Sequence, residues 1–194
     1  MSEGPTDVVR ITAPEPPPSV VHSEFIGDLH FETEYPATET VDKLFDQLDF
    51  QRACQVFLRN ITASSMYSFR HGLRRDLGVD SASKVAIWED GYNATSLLLT
   101  PNSETLYGTT YLDLAADGPT VLEIPPGMLG FFDDMWMREV ANIGPAGPDQ
   151  GSGGRFLALP PGYDGSVPPF GFHVIRPRTY GVWVLLRALR DPDG

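Results

Sequence analysis

Asn102, Glu104 and Tyr107 bring an amide oxygen, a carboxylate and a phenol within six residues. These are hard oxygen donors, the type that contacts a divalent cation or orients a polar ligand. They follow Thr100-Pro101 and open an alternating segment, so they stand at the entry to a strand, where a turn can aim polar groups into a cavity. The competing reading is an asparagine turn bonded to its own backbone, with Tyr107 packed on a sheet face.

Asp133 and Asp134 interrupt the apolar run Leu129-Gly130-Phe131-Phe132 and precede Met135-Trp136. Adjacent strand residues point to opposite faces, so at most one of the two is expected to be buried. A carboxylate held among aromatic rings has a raised pKa and can act as a general acid or base. Arg138 shares the parity of Asp134, which makes those two an expected ion pair and leaves Asp133 as the chemical candidate. Gly144 to Gly154 is a glycine-rich connection that can lie across a pocket; it lacks the Gly-Lys-Ser/Thr ending of a phosphate loop. Asp149 within it and Arg155 just after it complete the candidate pocket. His22, His30, His71 and His173 fall on different segments, with no two at ligand spacing, although His173 could meet Asp133 in space. No Gly-x-Ser-x-Gly elbow is present. Metal and cofactor are left open.

Positioning these groups requires elements, and proline marks where they lie. None occurs between Ala37 and Thr100, the window in which helices can run. Helix signals begin at Thr38 to Thr40. Val41, Leu44, Phe45 and Leu48 make one apolar stripe; Phe50, Ala53, Cys54, Phe57, Leu58 and Ile61 make a second, with Cys54 read as core filler. A third piece, about 65–77, ends in Arg70, His71, Arg74 and Arg75 before Gly78, cations that complement a helix C-terminus. From Lys84 the period becomes two. Short runs at 85–88, 97–99, 104–114, 120–124, 129–143, 155–159, 171–176 and 179–187 alternate with Gly/Pro turns, as in antiparallel β architecture. The last run is apolar on both faces, and with so few residues after it an exposed surface or unpaired edge near Trp183 is expected.

The chain has 194 residues, 14 Lys and Arg against 26 Asp and Glu, and a net charge of −12. Nucleic acid and anionic membrane surfaces are therefore poor partners. Charge is uneven: residues 1–50 carry −9, and residues 51–78 carry +4. That arginine face is read as pairing with the acidic segment or with another subunit. One cysteine excludes an intrachain disulfide. The acidic, proline-rich start has neither a basic n-region nor an apolar h-region, and the longest stretch without charge or histidine, Gly91–Ser103, is far shorter than the ~20 residues of a spanning helix. A cytoplasmic location is the expectation.

Several motifs together resemble a known family. They are Thr100-Pro101-Asn102-Ser103-Glu104-Thr105-Leu106-Tyr107, Leu112-Asp113-Leu114, Val121-Leu122-Glu123-Ile124-Pro125-Pro126, the loop from Gly144 through Leu157, Leu159-Pro160-Pro161-Gly162-Tyr163, and Arg176-Pro177-Arg178-Thr179-Tyr180-Gly181-Val182-Trp183. This set is similar to domain of unknown function 1254, over roughly 38–187. The family carries aspartate where this chain has Glu104, one methylene longer. The resemblance implies a following β-rich module, domain of unknown function 1214, and no defined activity.

These readings combine into an α+β fold, an N-terminal helical segment packed on a mainly antiparallel β-sandwich or barrel-like domain. Residues 1–37 are expected to form a disordered or extended acidic Pro-rich leader and 38–190 a single domain, without the family's second module. The expected function is a ligand-binding or assembly module that needs that second module to complete its site. Partners would be a small-molecule ligand and either another copy of the chain or the second β module. The alternative is a small-molecule enzyme using Glu104 and Asp133 in acid/base or metal-assisted chemistry. The candidate pocket is Asn102, Glu104, Tyr107, Asp133, Asp149 and Arg155.

Overall fold

The computed structural model describes residues 18–93 and 102–189. The expected leader at 1–17, the apolar run 97–99, the start of the Thr100-Pro101 motif and the expected domain end at Arg190 lie outside them. The chain divides into two compact units, residues 1–59 and 60–194.

In the first unit β1 (Val20–Ser23), β2 (Gly27–Glu32) and β3 (Tyr35–Pro36) form an antiparallel meander. Residues 20–36, expected within a leader, are thus paired strands. Alternating residues such as Leu29 and Phe31 between turns at Gly27 and Thr33 supply the pattern, which the nearby prolines obscured. The His30 N–H donates to Thr40 Oγ1 at 2.7 Å, fastening β2 to the start of α1 (Thr38–Asp76). Glu39 and Lys43 pair across one turn at 2.6 Å.

Three helical pieces were expected; α1 is one helix of 39 residues. No proline interrupts it, and Gly72 is tolerated. Gly78, at φ 69°, ends it, and the Leu77 and Val79 N–H groups return to the Leu73 carbonyl. The two expected apolar stripes do not become core: Phe45, Phe50, Phe57, Leu58 and Cys54 are all exposed. Periodicity identified the helix correctly, but it does not state which face is covered.

The second unit continues with β4 (Ala86–Trp88), β5 (Thr105–Asp113), the short α2 (Leu114–Asp117), β6 (Thr120–Ile124), β7 (Leu129–Asp134), β8 (Glu139–Ile143), β9 (Gly154–Ala158), β10 (His173–Ile175) and β11 (Gly181–Leu189). A five-stranded antiparallel sheet has the order β4-β5-β11-β7-β8, and a smaller sheet the order β10-β9-β6, with β10 and β9 parallel. Period-two patterning puts Leu112, Phe132, Val182 and Val184 on one face of the large sheet, where they meet Ile124, Phe156 and Ile175 of the small one. On the other face Tyr111 and Trp183 meet Met66 and Leu73 of α1. Each of these large side chains contributes about 1.5–3 kcal/mol through burial. The fold is therefore α+β, with helical residues 66–73 packed on a mainly antiparallel sheet.

The expected exposed edge near Trp183 is not there. Trp183 is 9% and Val184 0% exposed, because β11 inserts between β5 and β7. Its covers come from earlier in the chain.

The run 129–143 is a hairpin, not one strand. Asp134 Oδ1 accepts from the Trp136 and Arg138 N–H groups at 2.8 and 3.1 Å, and Oδ2 from Arg138 Nε at 2.8 Å. Met137 takes φ 54° at the turn. The expected Asp134–Arg138 pair is present, made by turn geometry rather than strand parity.

Candidate functional site

At one end of the large sheet, the start of β5 and the end of β11 border a cavity of about 290 Å³. Thr105, Arg187 and Ala188 line one side; Gly127, Met128, Leu129, Pro145 and Gly151 line the rest of the described wall. Register explains the convergence: Arg187 lies opposite Tyr107 on β5 and opposite Leu129 on β7. Among the described residues, Arg187 is thus the one cation lining a largely apolar hollow.

The entry to β5 is held by Asn102, whose Oδ1 accepts from the N–H groups of Glu104 and Thr105 at 3.0 and 2.9 Å and from the Thr105 hydroxyl at 2.9 Å. The Asn102 N–H donates to the Tyr107 phenol oxygen at 3.2 Å. Burial alone would raise the Tyr107 phenol; hydrogen bonds from Thr105, the Asn102 backbone and Arg187, with the charge of Arg187, outweigh it and hold the phenol below its usual range. Tyr92 packs edge-on against Tyr107 at 5.1 Å and stacks on Trp88 at 5.3 Å. Burial, with Tyr107 beside it, pushes the Tyr92 phenol up to about 12. Two touching phenols are therefore driven in opposite directions, and the one beside the guanidinium is the more acidic.

The glycine-rich loop reaches the cavity through Pro145 and Gly151, and the Gly127 N–H donates to the Gly151 carbonyl at 3.0 Å. Asp149 fixes its shape from within. This buried carboxylate accepts from the Gly144 N–H at 2.8 Å and the Gly153 N–H at 3.2 Å. A Cβ on Gly153, at φ 67°, would collide with the Ile124 carbonyl, so the loop can pass there only as glycine.

The six sequence candidates separate. Asn102 and Tyr107 are joined by a hydrogen bond next to the cavity, and Asp149 shapes the loop that borders it. Glu104 is exposed. Arg155 is exposed on β9, its guanidinium 5.1 Å from the centre of the Phe172 ring. Asp133 lies opposite Trp183, and does not line the cavity. Both aspartates are buried, at 8% and 2% exposure, against the expectation of at most one, because both faces of the sheet are covered. Burial first, then the like charges of Asp134 and Glu139, pushes Asp133 up to about 6. His173 packs on Phe156 at 4.9 Å, in the small sheet away from Asp133. Sequence reasoning missed Arg187. Its signal is a cation on the parity of Trp183 and Leu185 in an otherwise apolar strand.

Among the described residues, no three His, Cys, Asp or Glu side chains cluster as a metal site would require. No helix among them is long and apolar enough to cross a membrane.

No curated protein matches the chain. Among solved structures it is similar to the VPA0106 protein from Vibrio parahaemolyticus, with a TM-score of 0.51 and 19% identity over 71% of this chain and 32% of that one. The likeness is one of fold, and the chain spans about a third of that protein. The family described as protein of unknown function (DUF1254) matches residues 83–194, which include the cavity and its loop, and the chain belongs to that family.

Proposed function

We propose that this chain is a ligand-binding module, and that the cavity at Arg187 takes a small carboxylate-bearing molecule with an apolar tail. The observation that carries this reading is one guanidinium, set against the Tyr107 phenol, in a hollow whose described lining also includes Thr105, Met128, Leu129, Pro145 and Ala188. A planar guanidinium pairs with a carboxylate through two parallel hydrogen bonds, while the aliphatic walls favour a tail over a second charge. A volume of about 290 Å³ stands near the lower end of small-molecule sites, about 300–1,000 Å³. In this proposal the second β module implied by the resemblance completes the site.

The test is identification of small molecules that co-purify with the protein, followed by calorimetric titration of a series of aliphatic monocarboxylates. Binding that strengthens with tail length and falls at least about tenfold in Arg187→Met is expected. Equal binding by a folded Arg187→Met protein would overturn the reading.

An enzymatic alternative is favoured by Tyr107, which hydrogen-bonds to Thr105 and Arg187 of the cavity lining without itself lining it, rather than by Glu104, which is exposed, or Asp133, which lies opposite Trp183. A phenol held below its usual range beside a guanidinium can exchange a proton with a bound molecule. Ligand turnover that is lost in Tyr107→Phe while binding remains would establish it.

A further inference from the structure

On the last turns of α1, Tyr67, Arg70, His71 and Arg74 border a second cavity, of about 450 Å³, with Asp80 and Asp113 also lining it. A smaller hollow of about 110 Å³ shares Arg70, Arg74, Asp80 and Asp113. The three positions on α1 have different freedoms. Arg70 Nη2 donates to Asp113 Oδ2 at 2.6 Å and the guanidinium lies 6.0 Å from the centre of the Tyr111 ring, so its orientation is set. Arg75 closes on its neighbour Asp76 with bonds of 2.6 and 2.8 Å. Arg74, four residues after Arg70 and on the same helix face, lines both hollows and makes no ion pair among the described residues. His71, also lining the larger hollow, stacks on Tyr67 at 6.3 Å.

We infer that this groove is a binding site for a phosphorylated, hydroxyl-bearing small molecule, with Arg74 as the principal phosphate ligand. The Arg74 guanidinium acts on Asp80 across the groove without an ion pair at bonding distance, so its fork offers bidentate donors to a phosphate, and Arg70, held by Asp113, is already oriented beside it. The bordering carboxylates, Asp80 paired with Lys84 at 2.8 Å and Asp113 paired with Arg70, keep free lone pairs at the rim. They accept hydrogen bonds from hydroxyls, which favours a ligand with a single phosphate and a polyol body. Of the three arginines on this cavity, Arg70 and Arg75 are compensated by Asp113 and Asp76, so the charge available to a small anion is that of Arg74. The groove is distinct from the Arg187 cavity and shares no lining residue with it.

Calorimetric titration with inorganic phosphate, glycerol 3-phosphate and glycerol tests the inference on the full chain. Glycerol 3-phosphate should bind more tightly than phosphate, and glycerol should not bind. Arg74→Ala should lose about tenfold or more in affinity for both phosphates, and Arg74→Lys should fall between it and the wild type. Arg155→Ala, which alters an exposed arginine elsewhere, should leave these affinities unchanged, and Arg74→Ala should leave monocarboxylate binding at the Arg187 cavity unchanged, so that failure here is separable from failure at the other cavity. Absence of saturable phosphate binding, or unchanged binding by an Arg74→Ala protein with wild-type near-ultraviolet circular dichroism, would overturn it. Equal affinity for the two phosphates would overturn the assignment to a hydroxyl-bearing ligand.

Discussion

Trp183 Nε1 donates to the Thr109 hydroxyl at 2.7 Å, and that hydroxyl donates onward to the Val184 carbonyl at 2.9 Å. The relay crosses from β11 to β5 and back inside a buried interface, where the indole N–H has no route to water. Thr109→Val keeps the shape and removes the acceptor, so it should cost about 1–3 kcal/mol for the stranded donor. Urea unfolding followed by tryptophan fluorescence measures this; a loss below a few tenths would show that the indole finds another partner.

Asp133 gives the stability a defined pH slope. Its pKa is raised in the folded protein, from 3.8 to about 6. Between those values the folded protein holds a proton that the unfolded chain has released, so this group's contribution falls as pH rises through the window. Asp133→Asn removes the titration. Its gain in stability over wild type should therefore be larger at pH 7 than at pH 4, and an equal gain at both would contradict the assignment.

Asp149 holds the glycine-rich loop by two charge-assisted bonds across a buried turn. Asp149→Ala should cost about 2–4 kcal/mol. Amide hydrogen exchange at Gly144 and Gly153 should accelerate more than exchange in β5. A uniform change across the sheet would instead indicate global destabilisation.

Gly130 is required for space rather than for an unusual backbone angle. A Cβ there would meet the Leu185 carbonyl oxygen on the neighbouring strand. Gly130→Ala should separate β7 from β11 and cost about 1–3 kcal/mol or more, read as a lowered thermal midpoint. A wild-type midpoint would show that the strands can move apart freely.

The Cys54 thiol is exposed on α1. It should react with maleimide in the native protein without denaturant, with a rate changed little by urea. Strong protection that urea relieves would show that the face is covered in solution.

The helix and most strands were readable because their periods are local properties: 3.6 through residues 38–76 and two from Thr105 onward. What was not readable depends on partners distant in sequence. The stripe at Phe50, Phe57 and Leu58 has good helical spacing, yet nothing in that spacing says whether another element covers it. The burial of both Asp133 and Asp134 follows from layers on opposite faces of the sheet, one built from α1 and one from β6, β9 and β10. At the cavity, Asn102 and Tyr107 were visible as a local motif. Arg187, eighty residues after Tyr107, joins them only through the pairing of β5 with β11.

The order β4-β5-β11-β7-β8 also constrains how the protein can be made. Synthesis produces two pieces of sheet, β4 with β5 and β7 with β8, each ending in an open edge of nine or six residues, Thr105–Asp113 and Leu129–Asp134. Neither edge can close until the ribosome has released the segment through Leu189. Throughout that interval both strands offer unpaired backbone to any neighbouring nascent chain. Slowing translation after Asp134 should lower the soluble yield, whereas supplying residues 179–194 as a separate peptide during synthesis should restore part of it.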